Sequence, residues 1–433
     1  MKPHNIITIV CLLLTAATAS AQATDDPLLA RYRQMALEYN DDLKAAAKNI
    51  EAGIELERAA RADRIPTLSA GGAVRYTGNP LSYTAELPNI GPLSLQGQEF
   101  KYGASATLSQ PVYTGGRIVE AIRKAETETR ISEAQHDLLR TAVCYQVDVQ
   151  YWTTVARRER MSVAEEYLNA VADLERVVRE RVEAGLCDRQ ELLTVEVKHN
   201  EARYRLLQAR SDFETGIMAL NALIGEPLDT RTPVGETVSR ISAGEADIPD
   251  GEDHPEVRLA EERVKLQQTG LRLNDARYKP PQQVGATAGY YAPGYDFEPD
   301  LSPNYTVYAQ LSVPIFNGGK RQRERSAAQH RIGMALDDLH GVETDLDLER
   351  RTARTSLAEA EERVELASSS LEKAFENERR ATEKYAKGAI SVSEVIDAQL
   401  YRQTAQENLV TAKAAARMHL AELSKACNAY RFQ

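Results

Sequence analysis

The sequence predicts a mainly α-helical chain with a membrane β-barrel portion, built as two copies of one unit. Three observations carry this. The chain repeats itself at an offset of 203 residues. Two very long stretches contain no proline and almost no glycine. Four short segments alternate apolar and polar residues, and the aromatics gather in them.

The repeat is direct. Leu108-Ser109-Gln110-Pro111-Val112-Tyr113-Thr114-Gly115-Gly116 returns as Leu311-Ser312-Val313-Pro314-Ile315-Phe316-Asn317-Gly318-Gly319. Gly185 and Gly388 keep the same offset, as do Glu191 and Glu394. Upstream the offset becomes 214, pairing Pro66 with Pro280 and Leu43 with Val257. The first copy therefore carries 11 extra residues between its two prolines. Turn composition places them in an outer loop from roughly Gly78 to Gln98. The period far exceeds the ~20–50 residues of a solenoid repeat, so a domain-scale unit has been duplicated. The expected plan is a signal peptide at 1–21, a first repeat at 22–224, a linker at 225–253 and a second repeat at 254–433.

Each copy reads helix, strand, loop, strand, very long helix, sharp turn, helix. The first helices are predicted over 27–64 and 254–279. In the strand before Pro314, Tyr305, Val307, Ala309, Leu311, Val313 and Ile315 fall on one face, with Thr306, Tyr308, Gln310 and Ser312 on the other. The first copy matches with Tyr102, Ala104, Ala106, Leu108, Gln110 and Val112. The preceding strands carry Leu68, Ala70, Gly72, Val74 and Tyr76, then Val284, Ala286, Ala288 and Tyr290. Each approaches the ~9–11 tilted residues that cross an outer membrane. Of 25 Tyr and Phe residues, 12 fall within 66–113 and 280–316. Tyr76, Phe100, Tyr102, Tyr113, Tyr290, Tyr291, Tyr305 and Phe316 are thus candidates for interfacial girdles. A soluble half-buried sheet also favours tyrosine; the signal peptide and the duplication weigh toward the membrane.

Between Gly116 and Ala184 there is no proline or glycine, and between Lys320 and Lys387 only Gly333 and Gly341 interrupt. Each run makes a helix of about 100 Å at ~1.5 Å per residue. In the second, Ala353, Leu357, Ala360, Val364, Ala367, Leu371 and Ala374 form a heptad-type stripe. The first offers Met161, Ala164, Leu168, Val171, Val178 and Val182, with Glu175 interrupting. Helices this long need coiled-coil partners, and those after Gly185 and Gly388 are expected to return along the same axis. Pro227, Pro233 and Pro249 mark 225–253 as irregular.

The first 21 residues read as a signal peptide: Lys2, the apolar run Ile6 to Leu14, and Ala19-Ser20-Ala21 at the cleavage site. Cys11 lies inside the apolar run and is not placed for lipid attachment. Cleavage takes the net charge from −11 to −12, which argues against a nucleic-acid partner. No later apolar run nears the ~20 residues of a membrane helix, so any crossing is made by a barrel. Cys144, Cys187 and Cys427 are too few for a disulfide framework and read as isolated thiols. A Cys144–Cys427 bridge stays open, since these lie 41 and 39 residues from Gly185 and Gly388 respectively. The histidines are scattered and no nucleophile motif stands in context, so no enzyme, cofactor or metal is expected.

Four strands cannot close around a lumen, and open edges are forbidden in lipid. The chain must oligomerise with rotational symmetry. Eight strands give an interior about filled by side chains, so a conducting pore calls for three or more copies.

The two junctions, Gln110-Pro111-Val112-Tyr113-Thr114-Gly115-Gly116 and Val313-Pro314-Ile315-Phe316-Asn317-Gly318-Gly319, resemble those of the TolC-type outer-membrane efflux proteins. So do the two turns, Arg181-Val182-Glu183-Ala184-Gly185-Leu186 and Tyr385-Ala386-Lys387-Gly388-Ala389-Ile390. The resemblance covers nearly the whole mature chain. It implies a homotrimer, with a twelve-stranded barrel in the outer membrane and an α-helical tunnel in the periplasm. The tips, at Gly185, Leu186, Gly388 and Ala389, would dock a periplasmic adaptor linked to an inner-membrane pump. The implied work is passive, gated conduction for efflux or type I secretion. Asn40-Asp41 departs from the family's Asn-Pro before the first helix, while His254-Pro255 keeps the proline.

By position the resemblance makes Glu394 and Asp397 the acidic ring of a periplasmic gate, which would attract cations by focusing. It ties the tips through Tyr385 and Glu191. Ile390 stands where the family carries a basic residue. Ser391-Val392-Ser393-Glu394 is also a capping box, and Asp188-Arg189-Gln190-Glu191 has a similar form, so both glutamates carry two readings. Asp397 lies beyond the first turn, where capping does not explain it. A periplasmic helical-hairpin adaptor without a barrel is the alternative, separable by fractionation. The cargo is open among drugs, metals and proteins; few methionines argue against a dedicated soft-metal duct.

Overall fold

A computed structural model describes residues 26–88, 91–251, 253–294 and 300–430. The predicted signal peptide lies outside them. The elements run α1 (Pro27–Tyr39), α2 (Asp41–Ala62), β1 (Thr67–Tyr76), β2 (Ser82–Leu87), β3 (Gly91–Gln96), β4 (Phe100–Tyr113), α3 (Arg117–Glu183) and α4 (Arg189–Ile224). They continue with α5 (Ala243–Ala246) in the linker, then α6 (Pro255–Ala276), β5 (Gln282–Ala292), β6 (Ser302–Leu311), α7 (Lys320–Ala386) and α8 (Val392–Ala426). Two compact units result. One draws on the described residues within Met1–Asn40, Arg140–Glu252 and Leu348–Gln433, the other on Asp41–Leu139 and Asp253–Asp347.

The second of these units holds an antiparallel sheet in the order β1-β4-β5-β6. Its register explains the alternation. Val74 faces Tyr102, and Tyr102 faces Ala292. Leu108 faces both Leu68 and Ala286, which in turn faces Val307. The apolar faces predicted strand by strand therefore merge into one, running from Leu68, Val74 and Tyr76 to Tyr305 and Val307. That face is bare: Leu68 is 74%, Val307 76% and Tyr305 82% exposed. The Tyr76 and Phe100 rings meet at 4.9 Å at one end of it. The opposite face is polar, with Thr107 and Thr287 hydroxyls 3.1 Å apart.

Two expectations need correction here. The stretch from Gly78 to Gln98 is not a plain loop: β2 and β3 pair as a separate hairpin, making six strands among the described residues where four were expected. Ser82-Tyr83-Thr84-Ala85-Glu86 does alternate; the surrounding Pro80, Pro88 and Pro92 made the stretch read as a loop. Second, β6 stops at Leu311, so Val313, Pro314 and Ile315 are not strand, whereas β4 continues through Pro111 to Tyr113. The reason lies in β5. It begins at Gln282, opposite Leu311, and Pro280-Pro281 before it offer no N–H. Ser312 N–H finds only the Pro281 carbonyl, at 3.3 Å. β4 gains its extra length through a bulge between Pro111 and Tyr113.

The helical unit is built on α1, α4, α8 and the C-terminal parts of α3 and α7. The predicted helix over 27–64 is broken at Asn40, whose ψ of 120° ends α1; Asp41 and Asp42 then open α2, where acids suit a helix start. The α7 stripe behaves as expected at its start. Ala353 and Leu357 pack with Leu423 and Cys427, and Ala360 and Val364 with Ala416. The α3 stripe is corrected. Its buried row is Ala164, Tyr167, Val171, Leu174 and Val178, three and four apart, so Leu174 fills the step that Glu175 had seemed to break. Glu175 points aside to Arg179 at 2.6 Å and to His199 of α4.

The linker is irregular apart from α5, and arginines hold it. Arg158 donates to the Val234 carbonyl at 2.6 Å and Arg417 to that of Arg240 at 2.7 Å. Arg354 reaches Asp250 at 2.8 Å. Cys144, Cys187 and Cys427 are free thiols.

Candidate functional site

Both long helices end the same way. Leu186 N–H returns to the Arg181 carbonyl at 2.8 Å, and Gly185 N–H to that of Val182 at 2.9 Å. At the other turn Ala389 N–H returns to Lys384 at 3.0 Å and Gly388 N–H to Tyr385 at 2.8 Å. This pattern needs a left-handed residue after the helix; Gly185 and Gly388 supply it at φ of 73° and 70°. Leu186 stands 69% exposed, and at the other turn Gly388 and Ala389 are exposed.

Beneath the turns lies one apolar cluster. Tyr167, Val171, Leu174 and Val178 of α3 meet Val195 and Ala202 of α4, Tyr385 of α7, and Val392, Val395 and Ile396 of α8. Tyr385 is only 4% exposed, yet its phenol reaches the Glu191 carboxylate at 3.3 Å. Burial, then the Glu191 charge, push its pKa up to about 12, so the phenol keeps its proton and donates it. Arg181 grips the same tyrosine: Nη1 donates to its main-chain oxygen at 2.7 Å, and the guanidinium lies 4.8 Å from its ring centroid.

The expected residues therefore separate. Tyr385 and Glu191 come together. Asp188 caps α4 by accepting from Gln190 N–H, but Glu191 turns to Tyr385. Glu394 closes the capping box of α8, accepting from Ser391 N–H at 3.2 Å and from its hydroxyl at 3.1 Å. Asp397 is exposed one turn on and has no ion pair among the described residues. Arg181 escaped sequence reasoning, although it stands four residues before Gly185, where a helical side chain reaches a neighbouring tip. Glu378 and Arg402 also pair, at 3.0 Å; burial raises the Glu378 pKa against the pull of that arginine.

At the strand-to-helix junctions, Gly115 and Gly116 take φ of 68° and 92°, and Gly318 and Gly319 φ of 60° and 75°. A Cβ on Gly115 would stand 2.7 Å from the Ala276 carbonyl and 2.6 Å from Lys279 Cβ. Pro111 sits inside β4 at its bulge, whereas Pro314 lies in the irregular stretch before Gly318.

With this geometry in view, comparison with known proteins decides the family. The model of the outer membrane efflux protein family matches residues 32–226 and 252–429. The chain belongs to that family. Among relatives, the nickel-cobalt-cadmium resistance protein NccC of Alcaligenes xylosoxydans xylosoxydans is 27% identical over 351 residues, covering 80% of this chain and 74% of that protein. The toluene efflux pump outer membrane protein TtgI of Pseudomonas putida is 24% identical over 332 residues, covering 75% and 69%. The crystal structure of the outer membrane protein VceC of Vibrio cholerae shares the fold with a TM-score of 0.74 at 17% identity, over 92% of this chain and 95% of that one. The fold is thus TolC-like, and the chain is an outer-membrane channel component of the efflux and secretion kind. The family is one of transport ducts, not of enzymes.

Proposed function

We propose that this efflux-family chain works as a homotrimeric, gated duct that carries cargo from the periplasm to the exterior. The observation that carries this is the sheet: four strands with one continuous, exposed apolar face and pairing on only one side of β1 and of β6. Such edges cannot stand in lipid. Three copies, each joining its β1 to the β6 of the next, give a closed barrel of twelve strands with the apolar face toward lipid and the threonine-bearing face inside. The helical unit also leaves a face for a partner. Leu193, Val197, Tyr204, Leu207 and Met218 make an exposed apolar stripe on α4, suited to a neighbouring copy.

The tips serve as the periplasmic gate. Tyr385 and Glu191 tie them shut, and Asp397, with Glu394 beside it, rings the constriction with carboxylates. Gly185, Leu186, Gly388 and Ala389 dock a periplasmic adaptor, which connects to an inner-membrane pump. The alternative of a barrel-free adaptor leaves the bare apolar sheet face without a role.

Planar-bilayer recording tests the reading. The purified protein should form discrete cation-preferring channels blocked by multivalent cations, and crosslinking should trap three chains. A protein that fractionates as soluble and gives no channels would sink it.

A further inference from the structure

The family resemblance includes Arg181 in the first tip motif but gives it no role, yet among the described residues it holds Tyr385 at two points. One guanidinium takes both the main-chain oxygen, at 2.7 Å, and the ring face, at 4.8 Å. That oxygen belongs to the last turn of α7 and already accepts from Gly388 N–H at 2.8 Å, so the guanidinium takes its second lone pair, at a helix end that favours a cation. Stacking on the ring adds to the attraction. Arg181 Nε is buried with no partner among the described residues, a penalty that the two grips must offset. The other candidate source of positive charge is missing: Ile390 packs against the apolar cluster.

We infer that Arg181 is the positioning residue of the closed tip. It fixes the Tyr385 ring so that the phenol reaches Glu191, and it supplies from α3 the cation that position 390 does not. This rests on the gate reading above. Without Arg181 the end of α7 is no longer tied to the end of α3, and the phenol loses its aim. Lysine restores one charge and one donor but neither the planar fork nor the stack.

The test uses the full-length protein in planar bilayers, comparing single-channel conductance for wild type, Arg181→Ala, Arg181→Gln, Arg181→Lys, Tyr385→Phe and the Arg181→Ala/Tyr385→Phe pair. The inference expects a several-fold rise for Arg181→Ala and Arg181→Gln, a smaller rise for Arg181→Lys, and no further rise when Tyr385→Phe is added to Arg181→Ala. If Tyr385→Phe raises conductance while Arg181→Ala and Arg181→Gln do not, Arg181 is not the positioning residue, although the gate stands. If these variants and Asp397→Ala all leave conductance and cation block unchanged, the gate reading fails and the inference with it. Additive effects in the double variant, or lower thermal stability with wild-type conductance, also overturn it. Arg181→Gln keeps the bulk and a donor, so it decides the matter should Arg181→Ala fail to insert.

Discussion

Tyr385 and Glu191 meet across the two tips, with 3.3 Å between phenol and carboxylate, and so join the last turn of α7 to the first turn of α4. The bond depends on a protonated phenol. Because the folded pKa of Tyr385 is raised, to about 12, its contribution is complete below the ordinary tyrosine range near pH 10. It is lost as pH rises through the folded value. Burial raises Tyr151 and Tyr430 as well, so spectrophotometric titration of tyrosinate should show a late-titrating group of tyrosines whose amplitude falls by one phenol in Tyr385→Phe. Conductance should climb over the same alkaline window in wild type but not in that variant.

Glu394 and Asp397 should part company under mutation. Glu394→Ala removes the capping partner of Ser391, a loss of about 1 kcal/mol, and should lower the melting temperature measurably. Asp397→Ala removes no contact within the described residues and should leave melting unchanged. It should nevertheless weaken block by multivalent cations in bilayer recordings. Equal block in wild type and Asp397→Ala would remove Asp397 from the ring.

The two glycines of the first junction should differ as sharply. Gly116→Ala incurs only the left-handed backbone penalty, about 1 kcal/mol, because a Cβ there meets open space. Gly115→Ala adds a collision with the Ala276 carbonyl and Lys279 Cβ. It should cost roughly 1–3 kcal/mol more and sharply reduce the amount of folded protein recovered from membranes. Heat-modified gel mobility of the two variants checks the order.

The thiols should label in sequence. Cys144 and Cys427 are buried, whereas Cys187 is half-buried, and burial pushes the Cys144 pKa up to about 12. A maleimide should therefore modify Cys187 first in the folded protein. All three should react after denaturation without reductant; if only Cys187 does, Cys144 and Cys427 are bridged after all.

Much of this molecule was legible in its sequence because its strongest signals are periodic or positional. The offset of 203 set both junctions and both tips in register, and the glycines there prove to occupy backbone conformations that other residues resist. What was not legible depended on partners distant in sequence. β6 ends where β5 gives it nothing to pair with, a fact of register rather than composition. Leu174 belongs to the buried row of α3 because Glu175 finds His199 on another helix. The hairpin of β2 and β3 was hidden by prolines that sit tolerably at an edge. Within the tip, the Tyr385–Glu191 pairing was expected from resemblance. Arg181 had no such guide, since only the folded chain brings its guanidinium to a residue 204 positions away.

The one-sided pairing of β1 and β6 bears on biogenesis. A solitary chain approaching the bilayer brings two rows of unmet amide and carbonyl groups, each costing several kcal/mol in hydrocarbon. It has no low-energy route into the lipid alone. In the proposed trimer, copies must find one another at the membrane surface, so the rate of insertion should rise more steeply than in proportion to the supply of chains. Dilution should stall the process at a water-exposed stage.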